Sequence, residues 1–315
     1  MPLESDAINW LASRFKDRAK FDEPMSRHTH FKVGGPADAF VAPENREDLA
    51  QLVVWAGSKG IPWLIVGDGT NLLVKDHGIR GIVVVLTKCT EKISKKAENK
   101  REVFITAPAG VKLQELCSFA IKRGLGGMKY AVGIPGSVGG AISMNAGTAY
   151  GSTADVLDDV LIMLPDGQTR GINKIEIDFS YRNLSFRKNI GTDKDRAIIL
   201  EGSFRLYPFD SATLEKEAQE ILRMRKKKQP INLPSAGSFF KNPPQGKSAG
   251  RLIEQAGLKG KIIGGAQVSP KHANFIINTE RASASDILRL MEFVQQTVFK
   301  TFNIELEPEV KIVGS

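Results

Sequence analysis

The stretch Gly133-Ile-Pro-Gly-Ser-Val-Gly-Gly140, followed closely by Asn145-Ala-Gly147, concentrates glycine in one short segment of the chain. Glycine has no Cβ, so its backbone adopts positive φ angles and approaches a ligand closely. Successive backbone N–H groups in such a loop can point toward one anion, such as a diphosphate. A pair of tight turns without a ligand is the alternative interpretation. Because little polarity intervenes between the glycines, we favour a binding loop.

A second glycine cluster, Gly67-Asp-Gly-Thr-Asn71, follows directly after a predicted strand that ends at Val66. It lacks the third glycine of the GxGxxG fingerprint of Rossmann domains. Neither cluster contains the Gly-Lys-Ser/Thr sequence of a P-loop. A dinucleotide that binds to these two loops therefore binds to a different scaffold.

Outward from the two clusters, short apolar runs alternate with segments of helical periodicity. Short runs of apolar and β-branched residues predict strands at residues 31–42, 62–66, 82–86, 102–107, 156–164, 197–206 and 305–313. Apolar residues spaced by three and four predict helices at residues 8–15, 49–56, 113–121, 214–228 and 287–298. Strands and helices mix along the whole chain, which indicates an α/β or α+β protein. Near residues 207–211 the strands give way to a helix that ends in a basic stretch and a proline-rich loop. This change predicts the main domain boundary there.

Composition excludes several classes of protein. The chain has 315 residues, of which 42% are hydrophobic and 25% charged, as in an average soluble protein. Its start has no basic segment followed by an apolar one, and its apolar runs are too short to cross a bilayer, so we expect no membrane insertion. The net charge is +9, from 44 basic and 35 acidic side chains. This charge favours an anionic ligand without specifying which one.

The two cysteines, Cys89 and Cys117, form neither a CxxC pair nor a metal-binding spacing. Reduced thiols in the cytosol are the expectation, and they predict a cytoplasmic protein. The histidines form no metal motif beyond a lone His28-x-His30, so we expect no metal.

Three segments place polar side chains among apolar or glycine-rich neighbours. They are Phe179-Ser-Tyr-Arg182, Pro234-Ser-Ala-Gly-Ser238-Phe-Phe-Lys-Asn-Pro243 and Leu306-Glu-Pro-Glu309-Val-Lys-Ile-Val313. The alternative for each is a surface or ion-paired side chain. The basic run Arg223–Lys228 is typical of a solvated helix end or of an anion-binding edge. It lacks the interleaved aromatic residues of a single-stranded nucleic-acid platform, so we expect no nucleic-acid partner.

Taken together, these segments resemble one family. GDGTNLLV, GIPGSVGGAISMNAGTAYG, YRN, PSAGSFFKNP, GGAQVSPKHANFIIN and LEPEVKIVG occur in the order found in UDP-N-acetylenolpyruvoylglucosamine reductases, the flavoenzymes of bacterial peptidoglycan precursor synthesis. The resemblance covers the chain from about Thr29 to Gly314. It implies the shorter, second type of the family, because we find no room for the tyrosine insertion that covers the substrate in another subgroup.

The resemblance implies an α+β fold. It predicts an FAD-binding domain of the vanillyl-alcohol-oxidase/p-cresol-methylhydroxylase type at residues 1–208, built from two α+β subdomains at about residues 1–86 and 87–208. It also predicts an α+β substrate-binding domain at residues 209–304 and a C-terminal strand, residues 305–315, that carries Glu309. By motif match, the positions expected to bind FAD are Gly67, Gly69, Thr70, Asn71, Leu72, Gly133, Pro135, Gly136, Ser137, Gly139, Gly140, Asn145, Ala146 and Gly147.

The resemblance also implies the reaction. NADPH reduces FAD, and hydride from flavin N5 then goes to the terminal enolpyruvyl carbon of UDP-N-acetylglucosamine enolpyruvate, which gives UDP-N-acetylmuramate. Negative charge develops on the neighbouring carbon and its carboxylate, and this charge needs fixed donors and a positioned acid. Ser238 resembles the family's proton donor, and Arg182 and Glu309 resemble the pair that stabilises the intermediate. The residues expected to bind substrate are Tyr181, Lys228, Lys241 and Asn242.

Two positions depart from the family pattern. Thr70 stands where serine is usual and keeps the hydroxyl. Asn183-Leu184-Ser185 follows Tyr181-Arg182, where the family usually places serine two residues after the arginine. We expect a monomer, and we hypothesise that Lys241 or Asn242 activates Ser238.

Two other functions compete with this one. The first is an FAD oxidase of the same fold with another substrate, which would lack the SFFKNP and LEPEVK segments. The second is a non-catalytic protein that binds nucleotide sugars or nucleic acid through its positive charge. A yellow protein whose flavin spectrum bleaches with NADPH would separate the reductase from both.

Overall fold

A computed structural model describes residues 3–89, 92–187, 197–279 and 281–315. Eight α-helices are found in this part of the chain: α1 Ser5–Phe15, α2 Arg46–Ser58, α3 Leu113–Lys122, α4 Val138–Ser143, α5 Thr153–Val156, α6 Ser211–Lys228, α7 Ala249–Gln255 and α8 Ala284–Phe302. The strands of the described residues are β1 Ala19–Pro24, β2 Pro36–Val41, β3 Trp63–Val66, β4 Leu72–Val74, β5 Ile79–Val85, β6 Ser94–Glu98, β7 Val103–Pro108, β8 Leu125–Gly126, β9 Gly147–Thr148, β10 Gly151–Ser152, β11 Leu157–Met163, β12 Thr169–Asn173, β13 Ile177–Ser180, β14 Asn183–Phe186, β15 Ile198–Pro208, β16 Ile262–Ile263, β17 Ala266–Val268, β18 Ile276–Asn278 and β19 Lys311–Val313.

The first sheet lies in the N-terminal part of the chain, in the order β1-β2-β5-β3. Strand β2 runs parallel to β5, and β5 runs parallel to β3, whereas β1 is antiparallel to β2. The apolar face of α2, with Leu49, Leu52, Val53 and Ala56, packs in the same core as Ile82 and Val84 of β5. The glycine cluster at residues 67–71 follows β3 directly, because the strand ends at Val66.

The second sheet is antiparallel and has the order β12-β11-β15-β7-β6, with β8 added at the end of β15. Helices α3 and α4 pack their apolar residues in the core of this sheet. Cys117 of α3 lies in that core, and burial raises the pKa of its thiol to about 12. The expected core position of Cys117 is therefore confirmed.

The C-terminal part contains α7, the small sheet β16-β17-β18 and the long helix α8. Its core is completed by Phe31, Val33 and Leu73 from the N-terminal part. The chain then returns to the first part, where β19 pairs in parallel with β4, with Lys311 opposite Leu72. This return brings Glu309 to the glycine cluster at residues 67–71.

Two strand predictions were too long. The strand expected at residues 31–42 begins only at Pro36, because Lys32 and Gly34 adopt φ angles of 59° and 126° and turn the chain. The strand expected at residues 305–313 is a three-residue ladder, β19. Before it, Pro308 forms only an isolated bridge with Phe240. Proline has no N–H to donate to a ladder.

Among the described residues, no helix is long and apolar enough to span a membrane.

Candidate active site

The two glycine clusters face each other across a narrow cleft. The Thr70 hydroxyl lies 3.5 Å from the Pro135 carbonyl oxygen, to which it donates. A Cβ on Gly67 would lie 2.5 Å from Ser137 Oγ, and a Cβ on Gly136 would lie 2.9 Å from Thr70 Oγ1. A side chain at either position would enter the cleft and displace a hydroxyl of the facing loop, so glycine allows the two loops to approach this closely.

The cleft exposes backbone donors. Within the described ranges, the N–H groups of residues 68–71 and those of Gly136 and Ser137 donate to no other group. N–H groups that converge from two loops suit the oxygens of a diphosphate. The donor set and the missing side chains therefore fit the diphosphate of a dinucleotide such as FAD.

Arg182 is presented by a two-residue turn. The hairpin β13–β14 pairs Ser180 with Asn183, which leaves Tyr181 and Arg182 at its tip. Arg182 adopts a φ of 58°, a left-handed conformation that costs a residue with a side chain about 1–3 kcal/mol. Its guanidinium carbon lies 4.9 Å from the centre of the Tyr181 ring. The turn directs Arg182 away from solvent, and only 20% of its side chain is exposed.

Arg182 meets Glu309, which is 127 residues later in the chain. Arg182 Nε donates to Glu309 Oε1 at 2.6 Å. Burial raises the pKa of the Glu309 carboxyl above its ordinary value, although the Arg182 guanidinium and the Lys241 amine act in the opposite direction. The ion-paired alternative given for Arg182 agrees with this contact, whereas a solvent-facing Glu309 is wrong, because only 14% of its side chain is exposed.

Ser238 lies at the start of an extended segment that pairs with the segment of Glu309. The backbone N–H of Glu309 donates to the Phe239 carbonyl at 2.8 Å, and the N–H of Lys241 donates to the Glu307 carbonyl at 2.8 Å. Ser238 is therefore one residue away from a direct backbone contact with Glu309. The structure brings together Arg182, Glu309 and the Ser238 segment, as the sequence predicts.

Asn274 is a site residue that the sequence analysis did not single out. Its side chain is buried and bonds to both backbone groups of Phe240: Oδ1 accepts from the N–H at 3.0 Å, and Nδ2 donates to the carbonyl at 2.8 Å. Its own carbonyl accepts from the Phe239 N–H at 2.7 Å. Asn274 thus fixes one edge of the Ser238 segment, and the Glu309 segment fixes the other. The sequence feature that could have indicated Asn274 is its position in GGAQVSPKHANFIIN, one of the motifs that carry the family resemblance.

Two predicted cofactor residues connect the glycine clusters to the Arg182–Glu309 pair. Asn71 Nδ2 donates to the Glu309 carbonyl at 3.0 Å. Asn145, with a φ of 39°, donates from Nδ2 to the Ser180 carbonyl at 3.1 Å and accepts at Oδ1 from the Ala154 N–H. Both amides therefore hold backbone of the catalytic segments, whatever else they contact when ligand is bound.

The other predicted cofactor positions lie in or beside the two loops. Gly69 and Gly133 have positive φ angles, and Leu72 is buried in β4. A Cβ on Gly139 would lie 2.8 Å from Ala109 Cβ, which shows close packing of α4 there. The remaining positions are on α4 or just after it: Gly140, Ala146 and Gly147.

The predicted substrate residues differ in their surroundings. Tyr181 is half exposed at the hairpin tip, and Lys228 is exposed at the end of α6. Lys241 Nζ lies 3.2 Å from Glu307 Oε2. Asn242 Oδ1 accepts from the N–H of Ala249 at the start of α7, at 3.1 Å. The last two side chains are therefore engaged in contacts other than Ser238.

Comparisons with known proteins agree with this geometry. A family model described as UDP-N-acetylenolpyruvoylglucosamine reductase, C-terminal domain, matches residues 229–313, and one described as FAD binding domain matches residues 37–173. A reductase of that name from Desulfosudis oleivorans is 45% identical over 305 residues, 97% of this chain and 97% of the relative. The chain belongs to the UDP-N-acetylenolpyruvoylglucosamine reductase family. The resemblance stated from its motifs is confirmed.

Other members of the family support this membership. The reductase from Heliobacterium modesticaldum is 43% identical over 300 residues, 95% of this chain and 92% of the relative. The crystal structure of the reductase from Thermus caldophilus superposes with a TM-score of 0.75 at 32% identity, over 94% of this chain and 98% of that one. The expected α+β fold, with an FAD-binding domain followed by a separate C-terminal domain, is confirmed.

Proposed function

We propose that this protein is an NADPH-dependent flavoprotein that reduces the carbon–carbon double bond of UDP-N-acetylglucosamine enolpyruvate, giving UDP-N-acetylmuramate. This reaction supplies a peptidoglycan precursor, and with it cell-wall growth, cell shape and division. The single observation that carries the proposal is the Arg182–Glu309 pair. It lies beside the Ser238 segment and is tied by Asn71 to the loops of an FAD-binding domain. FAD held by the two glycine loops would supply hydride chemistry, linking oxidation of NADPH to reduction of the enolpyruvyl double bond.

Arg182 is suited to hold the substrate carboxylate. Its Nε is fixed by Glu309, whereas its terminal Nη groups donate to no other residue of the described chain. A guanidinium presents parallel N–H groups that match a carboxylate. As hydride arrives, negative charge spreads from the neighbouring carbon into that carboxylate, and Arg182 stabilises it.

Glu309 holds Arg182 in place, and its carboxylate, when ionised, balances the positive charge of the Arg182 guanidinium. Burial raises the pKa of its carboxyl, so the carboxyl keeps a proton at higher pH than an exposed glutamate does. A carboxyl with a raised pKa can donate to the developing charge when protonated and can bridge to Arg182 when ionised. Both roles depend on the position of the Glu309 carboxyl next to the Arg182 guanidinium.

Ser238 supplies the proton in this proposal. The hydroxyl proton goes to the carbon that carries the enolpyruvyl carboxylate, and the alkoxide left behind regains a proton from solvent. A serine hydroxyl is a weak acid, so its position must be fixed and the product alkoxide must lie near positive charge. Lys241, three residues later, is engaged by Glu307, so Arg182 is the better candidate for that charge.

The remaining parts of the proposal concern ligands and context. Tyr181, Lys228, Lys241 and Asn242 bind the UDP-sugar, and the residues of the two glycine loops bind FAD. We also propose a monomer, because both walls of the site come from one chain. A cytoplasmic location is supported by Cys89 and Cys117, which lie in the described part of the chain and form no disulfide.

The decisive experiment follows the flavin of the purified protein under anaerobic conditions. We expect a yellow protein that bleaches with NADPH and regains its absorbance when UDP-N-acetylglucosamine enolpyruvate is added. Steady-state kinetics should give parallel double-reciprocal lines if NADPH and the UDP-sugar use one pocket in turn. A flavin that is reoxidised by oxygen but not by the enolpyruvyl ether would favour the oxidase alternative. A protein that cannot be loaded with FAD would contradict both.

A further inference from the structure

Arg225 lies in the last turn of α6, on the face that carries the buried residues of this helix. Ala218 and Ile221 of this helix pack against Val132, which directly precedes the glycine loop at residues 133–140. Arg225 follows Ile221 by four residues and Ala218 by seven, so it projects from the same face. A cation therefore occupies a position where the pattern of this helix calls for an apolar side chain.

The side chain of Arg225 covers the first glycine of the loop. A Cβ on Gly133 would lie 2.8 Å from Arg225 Cδ and 2.9 Å from Arg225 Nε. Gly133 has a φ of 75°, so its backbone turns toward the helix without a side chain in between. The guanidinium is thus held against the loop that carries the backbone donors of the cleft.

The guanidinium of Arg225 has no protein partner among the described residues, neither a carboxylate nor a carbonyl. Burial lowers the pKa of Arg225 below its ordinary value. Its neighbours Arg223 and Lys227 are exposed to water, whereas Arg225 is only partly exposed. Withdrawing a cation from water without a counter-charge is unfavourable, so such a position is expected where a ligand supplies the anion.

We propose that Arg225 is an anion-binding residue whose guanidinium takes a phosphate oxygen of a nucleotide diphosphate seated on the Gly133–Gly140 loop. Three ligands of the proposed function share this chemistry: FAD, NADPH and the UDP-sugar. The inference deepens that function and rests on it only for the identity of the ligand. Arg225 thereby forms a second, positively charged side of the diphosphate site, next to the glycine loop.

The test compares Arg225→Met with Arg223→Met, an exposed position on the same helix. Methionine keeps the length and apolar stem of arginine and removes the charge. FAD affinity is measured by fluorescence quenching on the FAD-depleted protein. Affinity for UDP-N-acetylglucosamine, an unreactive probe of the sugar-nucleotide site, is measured by perturbation of the flavin absorbance in the reconstituted holoenzyme. Affinity for NADPH is measured there from the concentration dependence of anaerobic flavin bleaching. A hydrogen bond to a charged group is worth about 1.5–3 kcal/mol, so we expect Arg225→Met to weaken one ligand about 10- to 100-fold.

The ligand that weakens identifies the source of the diphosphate. The Arg223→Met control should bind all three ligands as the wild type does. Thermal unfolding separates ligand binding from a structural role. Without added ligand, Arg225→Met should unfold at the wild-type temperature or above, because the substitution removes an unpaired, partly buried charge. Arg225→Lys keeps the charge but loses the parallel N–H groups of the planar guanidinium, so it should give an intermediate affinity.

Two results would overturn the proposal. One is affinity for all three ligands within twofold of wild type in Arg225→Met. The other is a lower unfolding temperature of the unliganded Arg225→Met protein with unchanged ligand affinity, which would make Arg225 structural. If the wild type binds none of these ligands, the proposed function fails. Inorganic diphosphate then serves as the probe, and the anion site stands only if it raises the unfolding temperature of the wild type more than that of Arg225→Met.

Discussion

Replacing Asn274 by alanine should slow the second half of the reaction while leaving the first half intact. The substitution removes both side-chain hydrogen bonds to Phe240 and leaves a backbone N–H and a carbonyl buried without partners. Each unpaired buried group costs about 1–3 kcal/mol, so the free energy of unfolding should fall by about 2–6 kcal/mol. The segment that carries Ser238 then keeps the edge that pairs with Glu309, and on its other side only the bond from the Phe239 N–H to the Asn274 carbonyl.

Loss of stability alone would not show that Asn274 positions Ser238. Asn278 provides a matched control because it is equally buried and also bridges two backbone groups, the Phe31 carbonyl at 2.9 Å and the Ala282 N–H at 3.0 Å. Its side-chain bonds do not reach residues 238–240, and its backbone bond to the Pro234 carbonyl survives in the alanine variant. Asn278→Ala should therefore lose similar stability and keep its catalytic rates.

Anaerobic stopped-flow absorbance separates the two half-reactions. For Asn274→Ala, reduction of the flavin by NADPH should stay within a few-fold of wild type. Reoxidation by the enolpyruvyl substrate should slow by about 10- to 100-fold, the usual effect of misplacing a reacting group by about 1 Å. In a Ser238→Ala background, Asn274→Ala should have little further effect on reoxidation. The reasoning is refuted if Asn278→Ala slows reoxidation equally, or if Asn274→Ala leaves it unchanged.

Three further predictions test other parts of the site. Burial raises the pKa of Glu309, so the ionised carboxylate disfavours the folded state. Glu309→Gln should therefore unfold at a higher temperature than wild type at pH 7–8. Melting curves across pH should show this difference vanish below about pH 4, where the glutamate is protonated in both states. Gly136→Ala should lower the FAD-to-protein ratio of the purified protein, because its Cβ would enter the cleft, whereas Gly257→Ala, which has a positive φ but open space around it, should keep full flavin content. Asp76→Asn should destabilise the protein by about 2 kcal/mol in denaturant titrations at pH 7 and match wild type near pH 2, because the Asp76 carboxylate accepts three hydrogen bonds at the start of α8.

Local patterns predicted much of the fold. The apolar spacing of Leu49, Leu52 and Val53 gave α2, and the glycines at residues 67–69 gave a loop directly after β3. These features depend on contacts between near neighbours in the chain. Strand β6, by contrast, reads Ser-Lys-Lys-Ala-Glu and is fully exposed, so it carries no apolar alternation. It is a strand only because β7 offers it an edge for pairing.

Long-range pairing limited the prediction of the site. Motif resemblance placed Arg182, Glu309 and Ser238 in one site, and the structure brings their segments together. Their spacing in the sequence did not reveal how: Glu309 arrives through the parallel pairing of β19 with β4, a ladder of three residues. Asn274 was missed for the same reason, because a polar residue in a motif does not show its partner. The run Arg223–Lys228 was interpreted as a solvated helix end or an anion-binding edge, but its sequence did not show which residue lies against the glycine loop.

The most direct test of the central claim, that Ser238 delivers the proton while the Arg182–Glu309 pair holds the substrate charge, is one stopped-flow measurement on Ser238→Ala. The variant should be yellow and should be bleached by NADPH at the wild-type rate. Its reduced flavin should then fail to regain absorbance when UDP-N-acetylglucosamine enolpyruvate is added without oxygen. Reoxidation at a rate near that of wild type would contradict the account.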